Sequence, residues 1–230
     1  MQALRFAWPR SQSDCLDIES LAIMPGEKVF IHGPSGCGKS TLLSLMAGVL
    51  SPRQGQVSLC GKDWQSLPVA ARDRHRVDHV GYIFQQFNLL PYLSVIDNVL
   101  LPCRFSRSRH DAAVTASGAM QDAAAALLLG MGLARELWHR DARALSVGQQ
   151  QRVATARALI GSPAVVIADE PTSALDEALR ETFLDLLMQA CAQAGSALVL
   201  VSHDHRIAAR FDRKLSLPEI NRAAAIEAAA

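Results

Sequence analysis

The segment Gly33-Pro34-Ser35-Gly36-Cys37-Gly38-Lys39-Ser40-Thr41 constrains this chain more than any other. It fits the spacing G-x-x-x-x-G-K-[ST]. Lys28-Val29-Phe30-Ile31-His32 before it predicts a short strand, and residues 40–47 after it predict a helix. Each part has a physical reason. Glycines let the backbone curl so that successive N–H groups point inward at phosphate oxygens. A helix starting near Lys39 aims its partly positive N-terminus at the same anion. Lys39 adds a full charge for the β- and γ-phosphates, and Ser40 offers a hydroxyl to Mg²⁺.

The rest of the chain supplies a matching scaffold. Its 230 residues are half apolar and one-fifth charged, which excludes general disorder. With 23 basic against 22 acidic residues, the net charge of +1 gives no reason to expect nucleic acid as a partner. No apolar run is long enough to cross a bilayer, and residues 1–10 lack the apolar core of a signal peptide, so a cytoplasmic chain is expected. Cys15, Cys37, Cys60, Cys103 and Cys191 have no metal or disulfide spacing and read mostly as small buried hydrophobes.

Short apolar stretches alternate with helical patterns, which predicts an α/β fold. Antiparallel strands are expected within residues 4–23, with further strands at 56–60, 79–84, 165–168 and 197–201. Residues 87–140 show no strand pattern. Helices are expected there at 94–100 and 111–129, so 87–152 reads as a helical subdomain inserted into a core of 1–86 and 153–217. In the penultimate helix Leu179, Phe183, Leu186, Leu187, Ala190, Cys191 and Ala194 fall on one face. Residues 218–230 form a tail, whose alanine-rich end is given no function.

Two further segments bear on chemistry. Val165-Val166-Ile167-Ala168-Asp169-Glu170 is an apolar strand that delivers two carboxylates to the edge of a parallel sheet. Asp169 suits Mg²⁺, and Glu170, pointing differently, suits a general base for an attacking water. Leu145-Ser146-Val147-Gly148-Gln149-Gln150-Gln151 places Ser146 to cap a helix. Spacing alone leaves this an ordinary cap with solvated glutamines.

Taken together, the phosphate loop, Phe84-Gln85, Leu145-Ser146-Val147-Gly148-Gln149, Asp169-Glu170, Ser173-Ala174-Leu175-Asp176 and Ser202-His203-Asp204 resemble the ATP-binding cassette (ABC) ATPases. The resemblance runs over residues 4–217 with the motifs in the family's order. It implies a P-loop NTPase of ABC type: a mixed core sheet, an N-terminal antiparallel β portion and an inserted helical subdomain. It also implies a head-to-tail dimer enclosing two ATP molecules with Mg²⁺. Ser146, Gly148 and Gln149 of one copy would face the phosphate loop of the other, and Asp176 would cross the interface. Gln85 would sense Mg²⁺ or the attacking water, His203 would contact the γ-phosphate and orient Glu170, and Trp8 would stack on adenine. Val147 departs from the family's usual glycine. If that position needs a positive φ, valine is strained there.

Residues 80–99 are similar to the lipoprotein-release and macrolide-efflux group, and amino-acid importers share much of this stretch. The family places the coupling helix of an integral-membrane permease near Gln85. Phe87, Leu89, Leu90, Tyr92 and Leu93 suit that contact or the subdomain core equally. Little chain follows residue 217, which disfavours importers with C-terminal regulatory domains. The expectation is an ATPase subunit driving a separate permease from the cytoplasmic face of the inner membrane. An importer ATPase and a soluble, non-transport cassette ATPase are the alternatives. A regulator that binds ATP without turnover is disfavoured by intact Lys39, Glu170 and His203.

Overall fold

The first two strands, β1 (Gln2–Phe6) and β2 (Leu16–Ser20), pair antiparallel with Leu4 opposite Ile18 and Phe6 opposite Leu16. Those four side chains are buried on one face, as alternation along a strand requires. The chain then forms β3 (Lys28–His32) and α1 (Lys39–Met46) and returns as β4 (Gln54–Gln56) on the other side of β1. The antiparallel layer is therefore a separate three-stranded sheet in the order β2-β1-β4. The computed structural model describes residues 1–11, 13–173 and 175–223. Residues 224–230, most of the alanine-rich end, lie outside the described residues, as does Ala174.

The pattern of residues 56–60 predicts one strand. The structure instead ends β4 at Gln56 and starts a small hairpin, β5 (Ser58–Leu59) and β6 (Lys62–Asp63). Cys60 at φ 49° and Gly61 at φ 76° form its two-residue turn, the conformation that matches the twist of a hairpin. An unanticipated helix, α2 (Val69–His79), leads into β7 (Val80–Ile83).

The helical region follows as α3 (Val95–Phe105), α4 (Arg107–Ser117) and α5 (Met120–Gly130). The single helix expected over 111–129 is broken at Gly118, whose φ of 82° a helix cannot accommodate. Next comes α6 (Val147–Leu159), continuous through the 152–153 boundary at which the sequence divides by pattern. The remainder is β8 (Val165–Asp169), α7 (Glu177–Ala194), β9 (Ala197–Val201), β10 (Arg213–Ser216) and the short α8 (Leu217–Ile220).

The central sheet is parallel throughout, in the order β10-β3-β9-β8-β7. Its inner strands are apolar at nearly every position because both faces are covered. Phe30, Val166, Ala168, Leu198 and Leu200 face α3, α5, α6 and α7. Val29, Ile31, Ile167, Val199 and Val201 face α1 and the antiparallel sheet. In α7 the buried stripe is Phe183, Leu184, Leu187, Ala190 and Cys191, while Leu179 is exposed. The cysteines differ from expectation: Cys103 and Cys191 are buried, Cys15 and Cys37 partly so, and Cys60 is exposed. Its place in the hairpin turn explains that exposure.

Candidate functional site

Strand register aligns the chemistry. Val201 of β9 pairs with both Asp169 of β8 and Ile31 of β3. The residues just beyond, His32-Gly33, Glu170 and Ser202-His203, therefore emerge together at the carboxyl edge, where parallel sheets bind ligands.

From β3 the chain runs through Gly33, Pro34, Ser35, Gly36, Cys37 and Gly38 into α1. Gly36 at φ 81° and Gly38 at φ 99° hold conformations that strain any side chain. Gly38 also lacks room, since a Cβ there would meet Leu16 Cδ2 at 2.9 Å. Lys39 is nearly buried, and its Nζ donates to the carbonyls of Gly33 at 2.9 Å and Pro34 at 2.8 Å. The ammonium is thus curled over the loop itself. Ser40 is exposed on the first turn, whereas Thr41 is buried beneath it.

At the end of β8 the Asp169 carboxyl lies beside the Ser40 side chain and the Lys39 ammonium. Burial pushes its pKa up, opposed by the polar interaction with Ser40 and by the Lys39 charge. Glu170 follows at φ 46°, an uncommon conformation for a residue with a long side chain. Its N–H donates to Val201 at 3.0 Å, and its carbonyl accepts from Ser173 at 3.2 Å. This geometry turns the Glu170 side chain toward His203, whose Nε2 lies 2.5 Å from Oε1. Backbone strain of this kind concentrates at functional sites.

The loop carrying His203 is fastened from below. Asp204 caps the following turn and is paired with Arg180 of α7 and with Arg206, whose Nε lies at 2.9 Å. Hydrogen bonds from Arg206, joined by the nearby Arg180 charge, hold the Asp204 carboxyl well below the usual carboxylate range.

The structure brings Lys39, Ser40, Asp169, Glu170 and His203 into one constellation. Gln85 sits on an exposed turn after β7. Trp8 is half exposed, its ring edge-on to Phe6 at a centroid separation of 5.3 Å. Asp176 caps α7 by accepting from the Leu179 N–H at 2.9 Å.

Ser146, Gly148 and Gln149 belong to a different surface, at the start of α6. Ser146 Oγ accepts from the Gln149 N–H, and Gln149 Oε1 accepts from the Ser146 N–H, a complete capping box. Gly148 faces Leu175. Val147 is the first residue of the helix, 48 % exposed, and does not adopt a positive φ. The strain anticipated for valine is therefore absent.

An ordinary helix cap at Ser146 predicts solvated glutamines after Gly148. Gln151 is instead buried, donating to the Pro171 carbonyl at 2.5 Å. Arg157, which belongs to none of the motifs, donates to the carbonyls of Phe87 at 2.5 Å and Asn88 at 2.6 Å. Its signal was a lone cation within Thr155-Ala156-Arg157-Ala158-Leu159, an otherwise small and apolar stretch. Of the apolar residues expected at a permease contact, Phe87 is core and Tyr92 is exposed. A groove of about 400 Å³ lies nearby, lined by Val49, Phe84, Leu101 and Phe105 together with Arg76, Arg109 and Arg157.

A family profile described as ABC transporter matches residues 16–173. The lipoprotein-releasing system ATP-binding protein LolD of Hydrogenovibrio crunogenus is 42 % identical over 204 residues, covering 89 % of this chain and 84 % of LolD. An uncharacterized ABC transporter ATP-binding protein, YbbA of Escherichia coli K12, is 41 % identical over 197 residues, 86 % of this chain and 83 % of its own. The fold matches a dimeric, post-hydrolysis structure of the ATP-binding cassette MJ0796 bound to ADP and Pi. That match has a TM-score of 0.78 and 32 % identity, and covers 94 % of this chain and 92 % of the other. Phosphate loop, paired carboxylates and histidine thus stand on a scaffold shared with known cassettes, and the chain belongs to the ABC transporter family as an ATP-binding cassette ATPase.

Proposed function

We propose that two copies of this chain bind MgATP head to tail and that its hydrolysis drives a separate membrane permease of the lipoprotein-release type. The observation that carries the hydrolytic part is the contact between His203 Nε2 and Glu170 Oε1 at 2.5 Å, beside the Asp169–Ser40 pair. The likeness to LolD and to a dimeric cassette supports the transport and dimer parts.

The donors present suit Mg²⁺: a hydroxyl from Ser40, a carboxylate from Asp169 and an amide oxygen from Gln85 are all hard oxygen ligands. Mg²⁺ held there supplies charge to the phosphate oxygens. Gly36, with open space where a Cβ would stand, and Gly38, at φ 99° at the start of α1, leave the loop backbone free to meet a phosphate. Gly33, Pro34, Ser35, Gly36, Cys37, Gly38 and Thr41 complete that cradle, and Trp8 offers a ring to adenine.

Lys39 exchanges the Gly33 and Pro34 carbonyls for phosphate oxygens. Glu170 accepts a proton from the water that attacks the γ-phosphate, and His203 orients that carboxylate. Gln85 positions the water. Ser146, Gly148 and Gln149 of the second copy complete the site, with Asp176 at the interface. The groove lined by Phe84 and Asn88, the residues that flank the Gln85 turn, receives the cytoplasmic helix of the permease, which holds the chain at the inner face of the inner membrane. No single helix among the described residues is long and apolar enough to cross a membrane.

Two variants separate the steps. Glu170→Gln keeps shape but removes the proton acceptor, so ATP should bind, persist and accumulate a dimer in gel filtration. Lys39→Ala should lose both nucleotide affinity and that dimer. Wild-type phosphate release by Glu170→Gln would remove Glu170 as the base. Failure of Glu170→Gln to dimerise, even with its permease present, would remove the head-to-tail arrangement.

A further inference from the structure

Phe87 and Asn88, the residues immediately after the Gln85 turn, both adopt the left-handed conformation, at φ 57° and 47°. Neither is glycine, and two such residues in succession do not persist without support from elsewhere. Within the turn, Phe87 N–H donates to the Phe84 carbonyl at 3.0 Å and Asn88 N–H to the Gln86 carbonyl at 2.6 Å, which leaves the Phe87 and Asn88 carbonyls to partners outside it. Support from outside the turn comes from burial of the Phe87 ring and, for the backbone itself, from Arg157. Its two terminal nitrogens fork across the Phe87 and Asn88 carbonyls, the pair that this backbone twist presents together. Burial lowers the Arg157 pKa to about 10, so the guanidinium remains charged near neutrality and its bonds to carbonyls are charge-assisted.

Arg157 lies on α6, the helix that Ser146 caps. The same helix sends Gln151 to the carbonyl of Pro171, one residue past Glu170. One rigid element is thereby bonded both to the loop bearing Gln85 and to the turn bearing Glu170. We propose that Arg157 is a positioning residue that sets the Gln85 turn relative to Glu170 by clamping Phe87 and Asn88 onto α6. The proposal rests on the assignment of Gln85 to the hydrolytic site. A clamp of this kind affects turnover rather than nucleotide capture, because Lys39 and the phosphate loop lie on other elements.

The test is a kinetic comparison of Arg157→Met, Arg157→Lys, Gln85→Ala and Asn88→Gly, with thermal unfolding as a control for folding. Arg157→Met should lower kcat by about tenfold or more and change the KM for ATP by less than about threefold. Arg157→Lys, able to reach only one carbonyl at a time, should fall between it and wild type. Adding Gln85→Ala to Arg157→Met should cost no more than Gln85→Ala alone, because both act through one turn. Glycine at 88 accepts the left-handed conformation unaided, so Asn88→Gly should restore part of the lost kcat in either Arg157 background.

A folded Arg157→Met enzyme with kcat within about twofold of wild type overturns the proposal, as do losses that multiply in the double variant. If Arg157→Met does not fold, Arg157→Lys with and without Asn88→Gly decides: unchanged kcat, or no recovery, overturns it. A Gln85→Ala enzyme at the wild-type kcat shows instead that the assignment of Gln85 has failed, and the proposal falls with it.

Discussion

Trp8 is a residue whose exposure invites a ligand: nearly half its surface is open, while Phe6 braces one edge of the ring. If the free surface stacks on adenine, Trp8→Ala should weaken ATP binding by about 1–3 kcal/mol, as base–aromatic stacking does elsewhere. Trp8→Tyr should largely preserve it. Titration calorimetry with ATP checks both, and equal affinity for wild type and Trp8→Ala would leave Trp8 as packing alone. Val147 carries the opposite lesson. Its place in the first turn of α6 requires no glycine, so Val147→Gly should not raise turnover. Its effect on stability should be a loss of up to about 1 kcal/mol, since glycine disfavours helix. Faster ATP hydrolysis by Val147→Gly would show that the side chain itself obstructs the dimer.

Among the elements, the helical region depends on where its helices stop and start. Ser94, Ser106 and Ser146 each cap one by accepting from a backbone N–H in its first turn. Gly118 does the separating work between α4 and α5, with its N–H donating back to Val114 at 2.7 Å. Open space surrounds Gly118, so Gly118→Ala is penalised by conformation alone and should cost about 1 kcal/mol or more. Gly130, at the end of α5, is also in open space but does not adopt a positive φ. Gly130→Ala should therefore stabilise, by about 0.5–1 kcal/mol. Urea unfolding of the two variants should show opposite signs. A shared sign would mean that α4 and α5 are set by packing rather than by the Gly118 turn.

Across the whole molecule, the end of the described chain closes onto its beginning. Asn221 is buried, and its Oδ1 accepts from the Asp17 N–H at 2.8 Å and the Ala223 N–H at 3.2 Å. Its Nδ2 donates to the Cys15 carbonyl at 3.0 Å. Pro218 lies against Gly33, so this strap also backs the phosphate loop. Residues 218–223, which by pattern read as tail, are thus part of the fold. Asn221→Ala strands the buried Asp17 N–H on β2 and the Cys15 carbonyl just before it, and should cost about 1–3 kcal/mol in equilibrium unfolding. Unchanged stability would show that water replaces the Asn221 amide.

Local chemistry makes much of this protein legible in its sequence. The glycine-lysine loop, the apolar strand ending in Asp169-Glu170 and the alternating strands of a two-layer core are short-range patterns, and periodicity or backbone freedom determines them. Residues whose role is set by a distant partner were not legible. Nothing local marks Gln151 as buried or Asn221 as the bond between chain ends, and the lone cation that singles out Arg157 among small apolar residues does not say which carbonyls it reaches. Valine at 147 looked like a strain because sequence shows residue type but not φ, and the helix starting there decides the φ. Residue order alone determined which groups the strands deliver to the sheet edge. Parallel register decided that Glu170 and His203 meet, because only the pairing of Asp169 with Val201 places the two loops side by side.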